Sequence, residues 1–441
     1  MTGTGIPSPS AERAANAAAG AMPTVDTRIA FAAVTAIFFM WGFLTALNDV
    51  LIPHLKAVFE LNWTRTMLIQ FTFFGAYFVM SVPAGWVVDK VGYKLGIVIG
   101  LVVAGCGALL FLPAAQIQWY YLFLGALFTL ASGITLLQVS ANPYVSLLGD
   151  PARAASRLNL AQALNSLGHT TAPWVGGMLI LATAVLGAEQ LAALSEQQQQ
   201  AYQAAQAQSV QIPYLGLALT LFVLAAVVFV LRLPALTEAT ERAARRHHTF
   251  SEVLRIPHVR WGVVAIFVYV GAEVAIGSFL INYIAQADIG AMSEASAAKY
   301  VSFYWGGAMV GRFLGSALLL RVSARRLLAL YAAIACVLLL VTVSSHGLVA
   351  MWSVIAIGLF NSIMFPTIFT LGIERLGPMT EKASSLLVMA IVGGAIVPLA
   401  QGVLADRIGV QAAFALPLLC YAYIIWYGLY GSRLAPEAPQ T

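Results

Sequence analysis

Long uncharged apolar runs, broken by short clusters of charge or turn residues, organise this chain from Ala30 onward. A run of about 18 or more apolar residues can cross a bilayer as a helix. The pattern predicts spans over 29–52, 66–88, 94–113, 118–147, 158–183 and 211–233, then 259–286, 297–320, 325–345, 347–372, 382–405 and 410–431. The longest charged stretch, Pro234 to His258, contains Glu238, Glu241, Arg242, Arg245, Arg246, His247 and His248 and separates the two sets of six. The expected fold class is an all-α membrane protein with twelve transmembrane helices in two six-helix halves. Its divisions are a disordered cytoplasmic tail over 1–28, an N-terminal half over 29–233, a cytoplasmic linker over 234–258, a C-terminal half over 259–432 and a cytoplasmic tail over 433–441. The gap from Gly187 to Gln211 is rich in Gln and Ala, carries no Lys or Arg, and is expected outside the cell.

Charge fixes orientation more than anything else. With the N-terminus inside, that side collects Arg13, Arg28, Lys90, Lys94, Arg153, Arg157, Arg232, the linker arginines, Arg260, Arg321, Arg325, Arg326, Arg375, Lys382 and Arg433, against Lys56, Arg65, Lys299 and Arg407 outside. Basic loops stay in the cytoplasm, so both termini are expected there, in a bacterial inner membrane. Of the 441 residues, 60% are hydrophobic and 9% charged, where a soluble chain carries about a quarter. The net charge of +5 is scattered over loops with no basic stripe, which argues against a nucleic-acid partner. Cys106, Cys336 and Cys420 fall inside apolar runs without metal-ligand spacing, so neither a disulfide nor a metal site is expected. No cleavable signal is evident, because the first residues lack an apolar core.

Against this apolar background the polar residues inside spans are the candidate site. Trp41, Thr45 and Asp49 recur at helical spacing and stack an aromatic platform, a hydroxyl and an acid on one face, with Asn48 beside the acid. An intramembrane carboxylate is costly and is by default functional. In the fourth span Gln138 and Asn142 share a face, and Pro143 is expected to loosen the helix locally. In the fifth, Gln162 and Asn165 do the same, with His169 a turn further on. Amides offer both donor and acceptor to sugar hydroxyls, and serve equally as glue between helices. The seventh span holds a second acid, Glu273, with Tyr269 a turn before it. Asn282 points away on a straight helix and reaches the cavity if the span bends at Gly277. In the tenth span Asn361 and Phe365 pair an amide with an aromatic next to Pro366.

Two further stretches speak to gating. Gly85, Asp89, Lys90, Gly92 and Lys94 in GWVVDKVGYK resemble the cytoplasmic loop motif of the major facilitator superfamily. Gly311, Arg312 and Gly315 occupy the equivalent part of the second half, where Arg312 is expected to serve in packing or gating. The resemblance then sharpens: NDVLIP (48–53), SANPYV (140–145), RLNLAQALNS (157–166), YVGAEVAIGSFLINY (269–283) and FPTIFTLGI (365–373) look like the fucose–glucose/galactose–N-acetylglucosamine sugar:cation symporter branch. The likeness runs in order over 29–431 and implies the major facilitator fold. It also implies that Asp49 carries the coupling proton and that Gln162 and Asn165 line the sugar cavity. The fucose permeases have a glutamate where this chain has Gln138, a glutamine where it has Glu273, and two asparagines where it has Thr45 and Ala46. That pattern is more similar to the glucose/galactose and N-acetylglucosamine members.

The expected function is secondary active sugar uptake by alternating access, with a proton or sodium ion co-transported and no other cofactor. Asp49 and Glu273 are the candidates for ion coupling. The expected partners are a small sugar and the lipid bilayer, and the chain is expected to work as a monomer. L-fucose:proton symport is the alternative, and a transporter-derived sensor the less favoured one, since linker and tails are short. An intramembrane enzyme is disfavoured because no HExxH, GxSxG or GxxxxGK occurs.

Overall fold

The computed structural model describes residues 27–58, 63–179, 211–231 and 248–434, with a few more between 193 and 205. Nearly all of the expected N-terminal tail, residues 234–247 of the charged linker and most of the Gln-rich gap lie outside the described residues. What is described is almost entirely helical, because in hydrocarbon a backbone must satisfy its own polar groups. The first part holds α1 (Thr27–Val58), α2 (Trp63–Ile117), α3 (Tyr120–Leu147), α4 (Ala154–Leu179) and α5 (Gln211–Val230). The second holds α6 (Phe250–Arg255), α7 (Pro257–Ala285), α8 (Glu294–Leu318), α9 (Ala324–Ser344), α10 (Gly347–Asn361), α11 (Met364–Gly372), α12 (Thr380–Met389), α13 (Gly393–Ile408), α14 (Val410–Ala413) and α15 (Ala415–Trp426).

Within the described residues every expected span coincides with helical backbone. The second and third lie within α2, where Gly92 (φ 78°, ψ 171°) breaks one pass from the next. The tenth is divided into α10 and α11 just after Asn361, and the eleventh into α12 and α13 by a 3-10 turn, Ala390–Val392. Among the described residues, eight helical stretches are long and apolar enough to cross a membrane. Helices α4 and α8 are not among them, since α4 carries Asn159, Gln162 and Asn165 and α8 carries Arg312. Their polarity is explained by where they lie: α4 packs along α8 in the interior. Pro143 causes less change than expected, for α3 continues through it without a break.

Small residues set how closely the helices cross. A side chain on Gly42 would be driven into the Asn165 carbonyl, and one on Gly168 into that of Phe39, so α1 and α4 meet backbone to backbone. Gly393 does the same for α13 against the Phe267 carbonyl of α7. Gly393→Ala should therefore cost about 1–3 kcal/mol through overpacking. The check is the thermal unfolding midpoint in detergent, compared with Gly306→Ala, where an added Cβ meets nothing within 4 Å and helix propensity favours the change. Equal midpoints for the two variants would contradict the close crossing.

At one end of the bundle, which carries Asp89, Arg157, Arg325 and Lys382 and is called here the basic end, the two parts of the chain are sealed together. Lys382 Nζ donates to Asp89 Oδ2 at 2.8 Å, with the lysine side chain only 7% exposed. Ser384 Oγ donates to the Val139 carbonyl at 3.0 Å, and Ser385 Oγ donates to that of Ser81. On the other flank Ser156 Oγ donates to the Ser316 carbonyl at 2.8 Å and Ser316 Oγ to that of Ser156 at 3.0 Å. These bonds tie α12 to α2 and α3, and α8 to α4.

Candidate transport site and its gates

Of the polar residues of the first part, Gln138 and Asn165 are held by neighbouring helices. Trp41 is buried, with its ring 4.3 Å from that of Phe38, and the half-buried Thr45 donates to the Trp41 carbonyl at 2.9 Å. Asn48 and Asp49 belong to α1, and their side chains lie outside the described residues. Gln138 Nε2 donates to Tyr77 Oη at 2.8 Å, and Asn165 Nδ2 to the Phe38 carbonyl at 2.9 Å. The Asn165 bond sits at the crossing that Gly42 and Gly168 permit, so here the amide joins helices. Asn142 differs, being fully buried with both amide atoms unpartnered. Orphaned buried amides cost about 1–3 kcal/mol per group, which a built-in ligand or a water would offset. Gln162 is buried on α4, and Asn159, which the sequence did not single out, leaves its Oδ1 unpartnered while its Nδ2 donates to the Ala155 carbonyl at 2.9 Å and lies 3.4 Å from Thr367 Oγ1 on α11. His169 Nδ1 lies 3.2 Å from the Asn165 carbonyl, one turn back along α4.

In the second part three tyrosines enclose one asparagine. Asn361 Nδ2 donates to Tyr304 Oη at 2.7 Å, Tyr421 Oη donates to Asn361 Oδ1 at 2.5 Å, and Tyr269 Oη donates to the Asn361 carbonyl at 3.0 Å. All four residues are fully buried. The backbone carbonyl taking the Tyr269 bond lies at the break between α10 and α11, where helical hydrogen bonding lapses. Glu273 lies against Tyr269 and near Tyr304 and Tyr421, and its Oε1 is sealed from solvent with no partner. Phe365 is half-buried and stacks on Phe369 at 6.1 Å. The sequence points to Tyr269, Glu273 and Asn361, and misses Tyr304 and Tyr421, whose surroundings are ordinary apolar runs.

Two expectations need correction. Helix α7 runs unbroken from Pro257 to Ala285, so no bend at Gly277 brings Asn282 inward, and Asn282 is exposed on the face opposite Glu273. The glycine instead gives room to the Trp305 ring of α8, which lies 3.2 Å from where its Cβ would be. Arg312 is no counterpart of the loop motif. It lies within the span, where its Nη1 donates to Ser166 Oγ and to the Gln162 carbonyl at 3.4 Å, and its Nε donates to the Ser362 carbonyl at 3.2 Å. One guanidinium thus joins α4 to the residue after α10, and its charge also acts on Glu273. A planar fork of donors suits this task as an ammonium would not.

The loop motif itself is in place. Gly85 lets Ser385 approach, since a Cβ at position 85 would fall 2.8 Å from the serine Cβ, and Asp89 takes the Lys382 ion pair. Lys94 Nζ donates to the Phe229 carbonyl at 2.8 Å, tying α2 to the end of α5, while Lys90 is exposed. In the sequence Lys382 carries only an orientation signal, since its partner lies 293 residues away.

Comparison with known proteins now decides the family. The family model described as Major Facilitator Superfamily matches residues 29–391. This chain belongs to the Major Facilitator Superfamily. It is 52% identical over 404 residues to a glucose/galactose transporter of Brucella abortus, covering 92% of this chain and 94% of that protein. It is 37% identical over 412 residues to the L-fucose-proton symporter of Escherichia coli, covering 92% and 94%. Among solved structures, a Major Facilitator Superfamily transporter, FucP, in the outward conformation superposes with a TM-score of 0.84 at 37% identity, covering 91% of this chain and 98% of that one. A membrane protein with the major facilitator fold is therefore what the chain is, as its spans and motifs implied.

Proposed function

We propose that the protein is a sugar uptake transporter that carries a hexose of the glucose/galactose type, or an N-acetylhexosamine, together with a proton by alternating access. The observation that carries this reading is the 52% identity, over nearly the whole of both chains, to a protein named for glucose and galactose. Identity to the proteins named for fucose is lower, at 37% and 29%. The substitutions at Gln138 and Glu273 relative to the fucose permeases favour the same substrate class. The proton is preferred to sodium because the fucose relatives are named proton symporters. The protein would work as a monomer in a bacterial inner membrane, with the basic end and both termini in the cytoplasm and two six-helix halves divided at 234–258.

In this reading Asp49 takes up the coupling proton. Asn48, Gln138, Asn142, Gln162 and Asn165 on one side and Tyr269, Glu273, Asn361 and Phe365 on the other offer the sugar its partners, with Trp41 and Thr45 along α1. Uptake of labelled D-glucose, D-galactose, N-acetyl-D-glucosamine and L-fucose into proteoliposomes, under proton and sodium gradients imposed separately, tests it. Accumulation of L-fucose alone, or accumulation driven by sodium alone, would overturn the reading.

Glu273 has a free acceptor at its buried oxygen, and an ionised acceptor bonds a hydroxyl by about 1.5–3 kcal/mol against about 1 for a neutral one. Glu273→Gln is expected to weaken sugar binding by about tenfold while accumulation still follows the proton gradient. Binding titrations and gradient-driven uptake on the same preparation check this, and loss of gradient dependence with binding intact would make Glu273 a proton station instead.

A further inference from the structure

The loop motif at the basic end has a second copy in this chain. Gly85, Asp89, Lys90, Val91 and Gly92 are matched in type and spacing by Gly402, Asp406, Arg407, Ile408 and Gly409 at the end of α13. The match extends to the backbone. Gly92 has φ 78° and ψ 171°, and Gly409 has φ 87° and ψ 155°, a conformation strained for any other residue. Because the eleventh span starts at the basic end, this second copy lies at the opposite end of the bundle.

The two copies are in different states. Gly85 is pressed against Ser385 across the seam, and Asp89 is paired with Lys382. An added Cβ on Gly402 would find only Phe279 at 3.6 Å, on a neighbouring helix of the same part of the chain. Asp406 is exposed and forms no ion pair among the described residues. The register of the seam says what Asp406 would meet. Along it Lys382 faces Asp89, Ser385 faces Ser81 and Gly85, and a Cβ on Gly394 would lie 2.9 Å from the Phe74 ring, so α12 and α13 run antiparallel to the first pass of α2. Asp406 stands as many residues after Lys382 as Arg65, in the first turn of α2, stands before Asp89.

We propose that Asp406 and Arg65 form a second latch, made when the opposite end of the transporter closes, and that it competes with the Asp89–Lys382 latch at the basic end. The proposal rests on the alternating-access reading above. In each latch a carboxylate from the repeated motif meets a cation of the other half, on helices that the motif's first glycine allows to close up. Only one can be engaged at a time, because a rigid rocking of the halves that brings one end together parts the other. The pair at positions 65 and 406 is thereby a determinant of how long the protein dwells with its opposite end shut.

The test uses the full chain with its three native cysteines, Cys106, Cys336 and Cys420, replaced, and cysteines introduced as Arg65→Cys and Asp406→Cys. Oxidant-induced cross-linking in proteoliposomes should occur, should stop uptake of D-glucose or D-galactose until reductant is added, and should increase several-fold when Asp89→Asn removes the competing latch. Arg65→Asp and Asp406→Arg alone should each slow uptake by about threefold to tenfold, as a repelling exposed pair would, and the double exchange should recover most of it. Cross-linking that does not respond to Asp89→Asn, or a double exchange no faster than the slower single variant, would overturn the latch. Cross-linking needs no sugar, so a protein that cross-links as expected but carries none of the tested sugars would sink the substrate reading and leave the latch standing.

Discussion

Asp49→Asn is expected to abolish concentrative sugar uptake while leaving sugar exchange across the membrane measurable. Coupling needs a group that gains and loses charge within the cycle, and an amide does neither. The amide keeps nearly the shape and hydrogen-bonding capacity of the protonated acid, so the sugar-binding geometry should survive. Asp49 is the one acid in an otherwise uncharged first span, towards its end, where an ionised carboxylate is costly unless a cation or proton joins it. The expected drop in accumulation ratio is to about unity, since with no proton carried the gradient supplies no driving force. Counterflow of labelled sugar in the same vesicles checks the second half of the expectation. A variant that still accumulates sugar against its gradient would remove Asp49 from the coupling step.

Arg312→Ala is expected to lower transport by one to two orders of magnitude. The guanidinium satisfies Ser166 Oγ, the Gln162 carbonyl and the Ser362 carbonyl at once, and its charge acts on Glu273. Removing it leaves buried acceptors on α4 and at the α10–α11 break without their donor, at about 1–3 kcal/mol per unsatisfied group, and takes away the cation whose charge acts on Glu273. Arg312→Lys keeps the charge and loses the fork, so it should retain more transport than Arg312→Ala while still falling short of the native protein. The combined variant Arg312→Ala with Glu273→Gln separates charge from packing. If the cost comes from the uncompensated carboxylate, the double variant should be more stable to heat than Arg312→Ala alone; equal stability would assign the loss to the broken link between α4 and the α10–α11 break.

The sequence was informative about the fold because each span is a long apolar run whose limits are marked by charge. It was least direct for α4 and α8, whose polar residues place them near the limit of a hydropathy argument and whose burial depends on tertiary neighbours. The candidate site was legible wherever a polar residue stood out against hydrocarbon, as with Glu273, Asn361, Gln138 and Gln162. It was illegible where the decisive fact is a partner far along the chain. Asn165 stood out equally well, yet its bond to Phe38 depends on two glycines on different helices. In the sequence Lys382 reads as a topological charge, and only the fold sets Asp89 beside it; Tyr304 and Tyr421 read as aromatic lining, and only the fold sets Asn361 between them. Periodicity records which way a residue faces, and says nothing of who is waiting there.

The seam at the basic end also bears on speed. Beside the Asp89–Lys382 ion pair and a side-chain bond between Tyr93 and Glu381, serine hydroxyls there meet main-chain carbonyls: Ser384 to Val139, Ser385 to Ser81, and Ser156 with Ser316. Each such bond is nearly an even exchange with water. Parting the halves there therefore floods the gap without orphaning any group, and can proceed one serine at a time. A joint of interlocked leucines would hold by area and release all at once, against the full cost of wetting it. With serines along it, this end can be watertight when shut and still quick to open.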